Sequence, residues 1–174
     1  MTSPWTGRDP LLHIVLHEPE IPNNTGNIGR TCVALHAALH LIEPLGFDIS
    51  EKACRRAGLD YWPRLALRTH ADWRAYRQES GPVRRWVLST KATRPAFDVP
   101  FQPGDHLVFG KESRGLPEPI LAEDPDALVR LPMVPDERSL NLSTAVCAVA
   151  YLAVRRFLEL GRVRLDDHGS ICPV

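Results

Sequence analysis

A chain of 174 residues, 44% hydrophobic and 24% charged, has room for one domain with a substantial core. No apolar run approaches the roughly 20 residues of a membrane span, and residues 1–9 lack the apolar centre of a secretory signal, so the expectation is a cytoplasmic protein without membrane contact. The formal net charge is zero, yet residues 51–94 hold 11 Lys and Arg against 4 Asp and Glu. Such a segment can bind phosphates locally, or it can be a set of solvated helix faces.

The pattern opens at Leu11–Leu16, a short apolar run that reads as a central strand. A loop with Pro19 and Pro22 follows. Asn24 or Thr25 can cap a helix over about Asn27–Ala38, with Ile28, Cys32, Leu35 and Leu39 on one face. Leu39–Ile42 is a second strand, stopped by Pro44 and Gly46. Glu51–Ala57 reads as a short basic helix, Leu65–Leu67 as a weak strand, and Ala71–Glu79 as a helix carrying Trp73 and Tyr76. Strands are expected at Arg84–Ser89 and His106–Phe109, on either side of a Pro-containing connection. A short helix over Leu116–Ala122 has Pro117 in its first turn. Ala127–Leu131 is the last strand and Asn141–Leu160 the last and longest helix. Residues 1–10 and 161–174 read as flexible tails around a single domain at 11–160. Strand and helix alternate throughout, which predicts an α/β fold with a mostly parallel sheet flanked by helices.

Cys32, Cys54, Cys147 and Cys172 form no C-x-x-C pair and read as reduced, buried thiols. The histidines give two i, i+4 pairs, His13/His17 and His36/His40, with no Cys or carboxylate at ligand spacing. No metal is expected.

Three loops follow predicted strands and share a character. They are Pro22–Arg30, Gly110–Pro117 and the stretch from Leu131 to Ala145. Each combines Gly or Pro with polar groups ahead of a helix, and parallel strands bring such loops to one rim. Taken alone, the third loop is equally a well-capped helix start, since Ser139 or Asn141 can cap and Pro132 and Pro135 forbid pairing. A phosphate loop is not supported. Five residues separate Gly104 from Gly110, and Glu112 stands where the hydroxyl is needed. There is no G-x-G-x-x-G and no G-x-S-x-G elbow, so dinucleotide and serine-hydrolase readings are poor.

In this order and spacing the loops resemble the three motifs of the SPOUT (α/β-knot) class of RNA 2′-O-methyltransferases. The likeness is strongest to its small TrmL-type tRNA (cytidine/uridine-34-2′-O)-methyltransferases. It rests on Ile14-Val15-Leu16-His17-Glu18-Pro19-Glu20-Ile21-Pro22, Asn24-Thr25-Gly26-Asn27-Ile28, Ile42-Glu43-Pro44-Leu45-Gly46-Phe47, and Arg55-Arg56-Ala57-Gly58-Leu59-Asp60-Tyr61. Further along it rests on Phe109-Gly110 with Glu112 and Arg114-Gly115-Leu116-Pro117, and on Pro132-Met133-Val134-Pro135-Asp136 with Arg138-Ser139 and Asn141-Leu142-Ser143.

The resemblance implies a C-terminal deep trefoil knot and a homodimer whose sites are completed at the interface. It implies S-adenosyl-L-methionine as methyl donor, with S-adenosyl-L-homocysteine as product, and a tRNA anticodon stem-loop as substrate. By position, Leu88, Gly110, Leu131 and Ser139 match donor contacts. Arg30, Asn27, Glu112 and Asn141 match the catalytic motifs, where they would orient the ribose or lock the loops. Arg55, Arg56, Arg64 and Arg138 are the RNA-contact candidates, within a basic set that includes Lys52, Arg68, Arg74 and Arg77. Tyr61, Trp62 or Trp73 can stack a base, although Trp73 and Trp86 also suit a core. Rival readings are a methyltransferase for another tRNA or rRNA ribose, and a non-catalytic RNA-binding knot protein.

Overall fold

The structure is a computed structural model that describes residues 4–50, 54, 56 and 58–174. Its centre is a six-stranded, wholly parallel sheet with spatial order β3-β2-β1-β5-β4-β6. The strands are β1 (Leu12–His17), β2 (Ala38–Ile42), β3 (Ala66–His70), β4 (Arg85–Leu88), β5 (Asp105–Phe109) and β6 (Leu128–Val129). The middle strands are apolar almost throughout because helices cover both faces. Alternation then sorts their side chains. Leu12, Ile14 and Leu16 enter one core with Leu39, Leu41, Leu107 and Phe109. Val15, Ile42, Val87 and Val108 enter a second core on the opposite face.

The first core is closed by α1 (Pro22–Ala34), through Ile28 and Cys32, and by α4 (Leu142–Glu159), through Val146, Val149, Ala150, Ala153, Val154 and Phe157. The second is closed by α2 (Trp73–Ser80), through Tyr76, and by α3 (Glu118–Glu123), through Ile120 and Leu121. Adjacent strands β1 and β5 therefore send their following helices to opposite faces. That topological switch opens a crevice at their C-terminal ends.

Several boundaries differ from the sequence reading. Helix α1 starts five residues earlier than expected, at Pro22, with Ile21 as a cap that makes no side-chain bond. Asn24 and Thr25 lie inside its first turn. Pro22 suits that position, because the first turn has no use for its missing N–H. The helix also stops earlier, and His36 turns the chain with φ 49°. Strand β6 is only two residues long. The residues after 160, expected to be a flexible tail, form a hairpin of β7 (Val163–Leu165) and β8 (Ile171–Pro173). Val163 is buried against the first core, and Asp166 accepts the N–H groups of His168 and Ser170 at the turn. The N-terminal residues dock there too, since the Trp5 indole donates to the Ile171 carbonyl. The expected basic helix at Glu51–Ala57 falls largely outside the described residues, as do Arg55 and Lys52.

All four cysteines are free. Cys32 and Cys54 are buried, whereas Cys147 and Cys172 are only partly so. Among the described residues no helix is long and apolar enough to cross a membrane.

Candidate active site

At the C-terminal rim of the sheet lies a cleft of about 580 Å³, within the range of small-ligand sites. All three polar loops reach it. The first supplies Ile21 and Asn24, the second runs along it from Gly110 to Leu116, and the third contributes Leu131, Met133 and Arg138–Leu142. The end of β4, Leu88–Lys91, forms a further wall.

One chain of hydrogen bonds ties the three loops together. The Glu112 carboxylate accepts the backbone N–H groups of Glu20 at 2.8 Å and Ile21 at 3.3 Å, and the Asn24 amide at 2.9 Å. Asn24 Oδ1 accepts from Asn141 Nδ2 at 3.0 Å. Asn141 Oδ1 caps α4 by accepting from Ser143 N at 2.9 Å and Thr144 N at 3.3 Å. Glu112 thus pins the Glu20–Ile21 segment that leads into α1, and the Asn24 side chain in its first turn, to the second loop. A parallel set of contacts lies beside it. Ser113 donates from N and Oγ to Glu20, whose carboxyl is held below its usual range chiefly by those bonds. Lys111 pairs with Glu18 at 2.6 Å. Glu18 (φ 50°) and Asp136 (φ 71°) both hold left-handed backbone in these loops, a conformation that stores strain at functional sites.

Gly110 is required by its own loop. A Cβ there would overlap the Gly115–Leu116 peptide, so the glycine lets its own loop close on itself, with Gly115 N–H bonded to the Lys111 carbonyl at 2.8 Å.

The four donor-contact candidates, Leu88, Gly110, Leu131 and Ser139, all line the cleft. Glu112, Asn141 and Arg138 line it too, and the bonds of Glu112 and Asn141 are those of loop-locking residues. Arg30 and Asn27 do not line it. Asn27 is exposed beside a separate depression with Phe47, Ile49 and Trp62. The Arg30 side chain is 64% exposed, lies 4.4 Å over the Tyr61 ring, and sits 3.9 Å from Asp60. Tyr61 itself is buried and its hydroxyl donates to the Gly26 carbonyl, so it supports Arg30 and is closed to base stacking.

The basic segment also divides. Arg84 grips buried Asp105 with two bonds, at 2.7 and 2.9 Å. Arg85 is occupied by Tyr76, Ser80 and Gly81, and Arg77 and the Trp73 indole both reach Glu123. Trp86 is a core residue that donates to Asp105. Arg56, Arg64, Arg68 and Arg74 remain exposed.

Two residues escaped the sequence reading. Asn24 is the middle link of the chain of bonds. Arg130 lines the cleft with its Nε buried and unbonded, a donor suited to a polar ligand group. The signal available for it was a charged residue within the apolar stretch expected to be the last strand.

Residues 11–151 match the SpoU rRNA Methylase family. The chain belongs to that family. It is 50% identical over 147 residues to the tRNA (cytidine(34)-2'-O)-methyltransferase of Saccharophagus degradans, covering 84% of this chain and 96% of that one. It is 49% identical over 157 residues to the enzyme of the same name from Escherichia coli strain K12, covering 90% and 100%. A solved structure bearing on 2-OH methylation of C/U34 on tRNA superposes with TM-score 0.78 at 46% identity, covering 85% and 97%. The SpoU methyltransferase AviRb from Streptomyces viridochromogenes, in complex with AdoMet, superposes with TM-score 0.72 at 25% identity, covering 87% of this chain and 59% of that one. For a SpoU-family chain, the tied loops and the cleft they enclose are the candidate active site.

Proposed function

We propose that this SpoU-family protein is an S-adenosylmethionine-dependent tRNA 2′-O-methyltransferase acting on the wobble nucleotide, position 34, a cytidine or modified uridine. The observation that carries the proposal is the cleft walled by three loops that Glu112, Asn24 and Asn141 bind into one unit. Relatives about half identical over most of the chain bear that activity in their names.

The cleft suits the donor. Leu88, Phe109, Leu131 and Met133 offer apolar walls for an adenine, and the unbonded Arg130 Nε offers a donor for a polar end. When bound, S-adenosylmethionine supplies an electrophilic methyl carbon on a sulfonium. The ribose 2′-oxygen would take that methyl in an in-line displacement releasing S-adenosyl-L-homocysteine, and its hydroxyl proton would pass to water with help from the neighbouring phosphate. Such a displacement needs alignment above all, which fits a site without a strong nucleophile. Leu131 and Ser139 hold the donor side, and the bonds of Glu112 and Asn141 fix the loop positions. Arg30 is too poor a base to take the proton, with a pKa above about 12. Its guanidinium holds the substrate phosphate and stabilises the forming alkoxide.

Arg30 lies away from the cleft of its own chain, and this motivates the second part of the proposal. Each site is completed in a homodimer by Arg30 of the other copy. Ile21, Val134, Leu140 and Tyr151, large apolar side chains at or near the mouth of the cleft and on α4, are 44–70% exposed. Ala148 lies beside Tyr151 on the open face of α4 and permits close packing. The chain after β6 passes beside the 89–98 connection, with the Ala96 N–H bonded to the Arg130 carbonyl and the Arg130 N–H to the Arg94 carbonyl. This path supports a trefoil knot in which that connection is the threaded loop. Arg56, Arg64 and Arg138, with Arg55, grip the anticodon stem-loop phosphates, and the reaction takes place in the cytoplasm.

The test is methyl transfer from labelled donor to tRNA, beside a tRNA carrying 2′-deoxyribose at position 34. Incorporation is expected to vanish with the deoxy substrate; unchanged incorporation places the reaction at another ribose. Arg30→Ala is expected to abolish turnover while calorimetry still records donor binding. A wild-type protein that binds tRNA and transfers no methyl group is a non-catalytic binder.

A further inference from the structure

Four histidines form a row across the α2 and α3 face of the sheet, from His13 and His106 near the N-terminal ends of β1 and β5, through His40 in the middle of β2, to His70 at the C-terminal end of β3. Strand pairing sets His13 of β1 directly against His106 of β5, and β2 and β3 bring His40 and His70 alongside. Their spacings along the chain hide this, because each comes from a different strand. One ring nitrogen from each of His13, His40 and His106 lies within 4.8 Å of the others. The His13 and His106 rings stack at 4.2 Å.

We propose that His13, His40 and His106 form a binding site for a divalent transition-metal ion of the zinc type, apart from the methyl-transfer cleft. Three imidazoles are a recurrent ligand set for such ions, with an open fourth position for water. Nitrogens bound to one zinc at about 2.0–2.1 Å sit roughly 3.3 Å apart. Binding therefore requires the stacked His13 ring, at the partly open position, to turn out of its plane parallel to His106 and to release its contact with His40, so that the three lone pairs converge. Access comes from the His13 side, since His13 is only partly buried while His40 and His106 are fully so.

Neighbouring side chains hold two of the three rings from behind. His40 Nδ1 is 2.9 Å from His70 Nε2, and His70 Nδ1 is 2.7 Å from the Glu79 carboxylate. With neutral rings the carboxylate fixes the order. His70 Nδ1–H donates to Glu79, His40 Nδ1–H donates to His70, and the lone pair of His40 Nε2 is left facing His13, whose Nδ1 lies at 2.9 Å. Backing of a ligand imidazole by a carboxylate orients the ring and raises its basicity. His106 Nδ1 is likewise held by the Tyr76 hydroxyl at 2.8 Å. Burial keeps the rings in the neutral form a metal needs, with His40 pushed down to about 3 and His106 to about 2. Arg68 and Arg85 oppose a cation here, whereas Glu79 and Asp9 favour it. No carboxylate belongs to the ligand set itself, so magnesium and calcium are not the ions it suits.

The experiment uses untagged, chelator-treated protein titrated with Co2+ and followed by visible absorption, with Zn2+ as competitor. The expected result is one saturable equivalent per chain with d–d bands of a low-coordinate nitrogen site, displaced by Zn2+. His13→Gln, at the partly open position, is expected to abolish that equivalent with an unchanged circular-dichroism spectrum. Glu79→Gln touches only the relay and is expected to weaken binding by roughly 10–100-fold. His168→Gln, in the hairpin turn, is expected to leave it intact. A wild-type protein with no saturable Co2+ band, or a band that survives His13→Gln, overturns the proposal and leaves the histidines as a purely structural ladder.

Discussion

Glu112 accepts three N–H groups, all from residues about 90 positions earlier in the chain. Glu112→Gln preserves its volume but turns one oxygen into a donor, so at least one of those bonds becomes a donor–donor opposition. The loops then drift with little loss of fold. The expected outcome is a fall in kcat of roughly 10–100-fold, the cost of slight misplacement at a reacting centre, with unchanged far-ultraviolet circular dichroism. Steady-state kinetics check it, and an unaltered kcat removes Glu112 as a positioning residue. Tyr61→Phe makes a narrower test. It deletes the hydroxyl that donates to the Gly26 carbonyl yet keeps the ring beneath Arg30. A stability loss of about 1 kcal/mol is expected in urea unfolding, with kcat little changed because the guanidinium keeps its platform. At this scale the sequence marked Glu112 and Asn141, which line the cleft, but not their partners. Glu112 stood out as a carboxylate in a glycine loop; that it serves the first turn of α1 depends on β1 and β5 being neighbours. Gly110 was legible as a motif glycine, but not the close pass of its own loop at Gly115–Leu116, which leaves no room for a Cβ.

Elements were most legible where burial on both faces forces an unbroken apolar run, as in β1, β2 and β5. They were least legible where a distant group replaces a local signal. The start of α1 was placed late because Asn24 and Thr25 look like caps, whereas the helix opens at Pro22 without a side-chain cap and the segment entering it is held by the distant Glu112. The hairpin after α4 was unread because its anchors, Trp5 and the first core, lie far away in sequence. Asp105 shows the same dependence. Its buried carboxylate accepts two bonds from Arg84, one from the Trp86 indole and one from the Gln102 N–H. Asp105→Ala strips the acceptor from all of these donors. A loss of about 3 kcal/mol is expected in urea unfolding, the low end for a broken buried pair because Arg84 can reach water. Arg84→Met, which leaves Asp105 its two neutral donors, is expected to cost less.

For the whole molecule, the parallel α/β class followed from the alternation of strand and helix, and the converging loops followed from the class. Where Arg30 acts did not follow, because it is exposed on α1 and does not line the cleft of its own chain, and its proposed place is in the cleft of a second copy. Two measurements address this. Tyr151→Asp places a charge on the open face of α4 and is expected to shift gel filtration toward the monomer and to remove methyl transfer, while donor binding persists in part. Mixed dimers decide the arrangement directly. Arg30→Ala lacks the guanidinium but keeps its cleft, and Leu131→Arg blocks its cleft but keeps Arg30. Each homodimer is expected to be inactive. If each cleft uses the other copy's arginine, a heterodimer has one intact site, so random mixing restores about a quarter of wild-type activity under two-fold symmetry. If each cleft uses its own arginine, every heterodimer site lacks one part and mixing restores nothing. Purifying the heterodimer through two different tags, then removing them, raises the expected recovery to about half and separates this outcome from partial refolding of either variant.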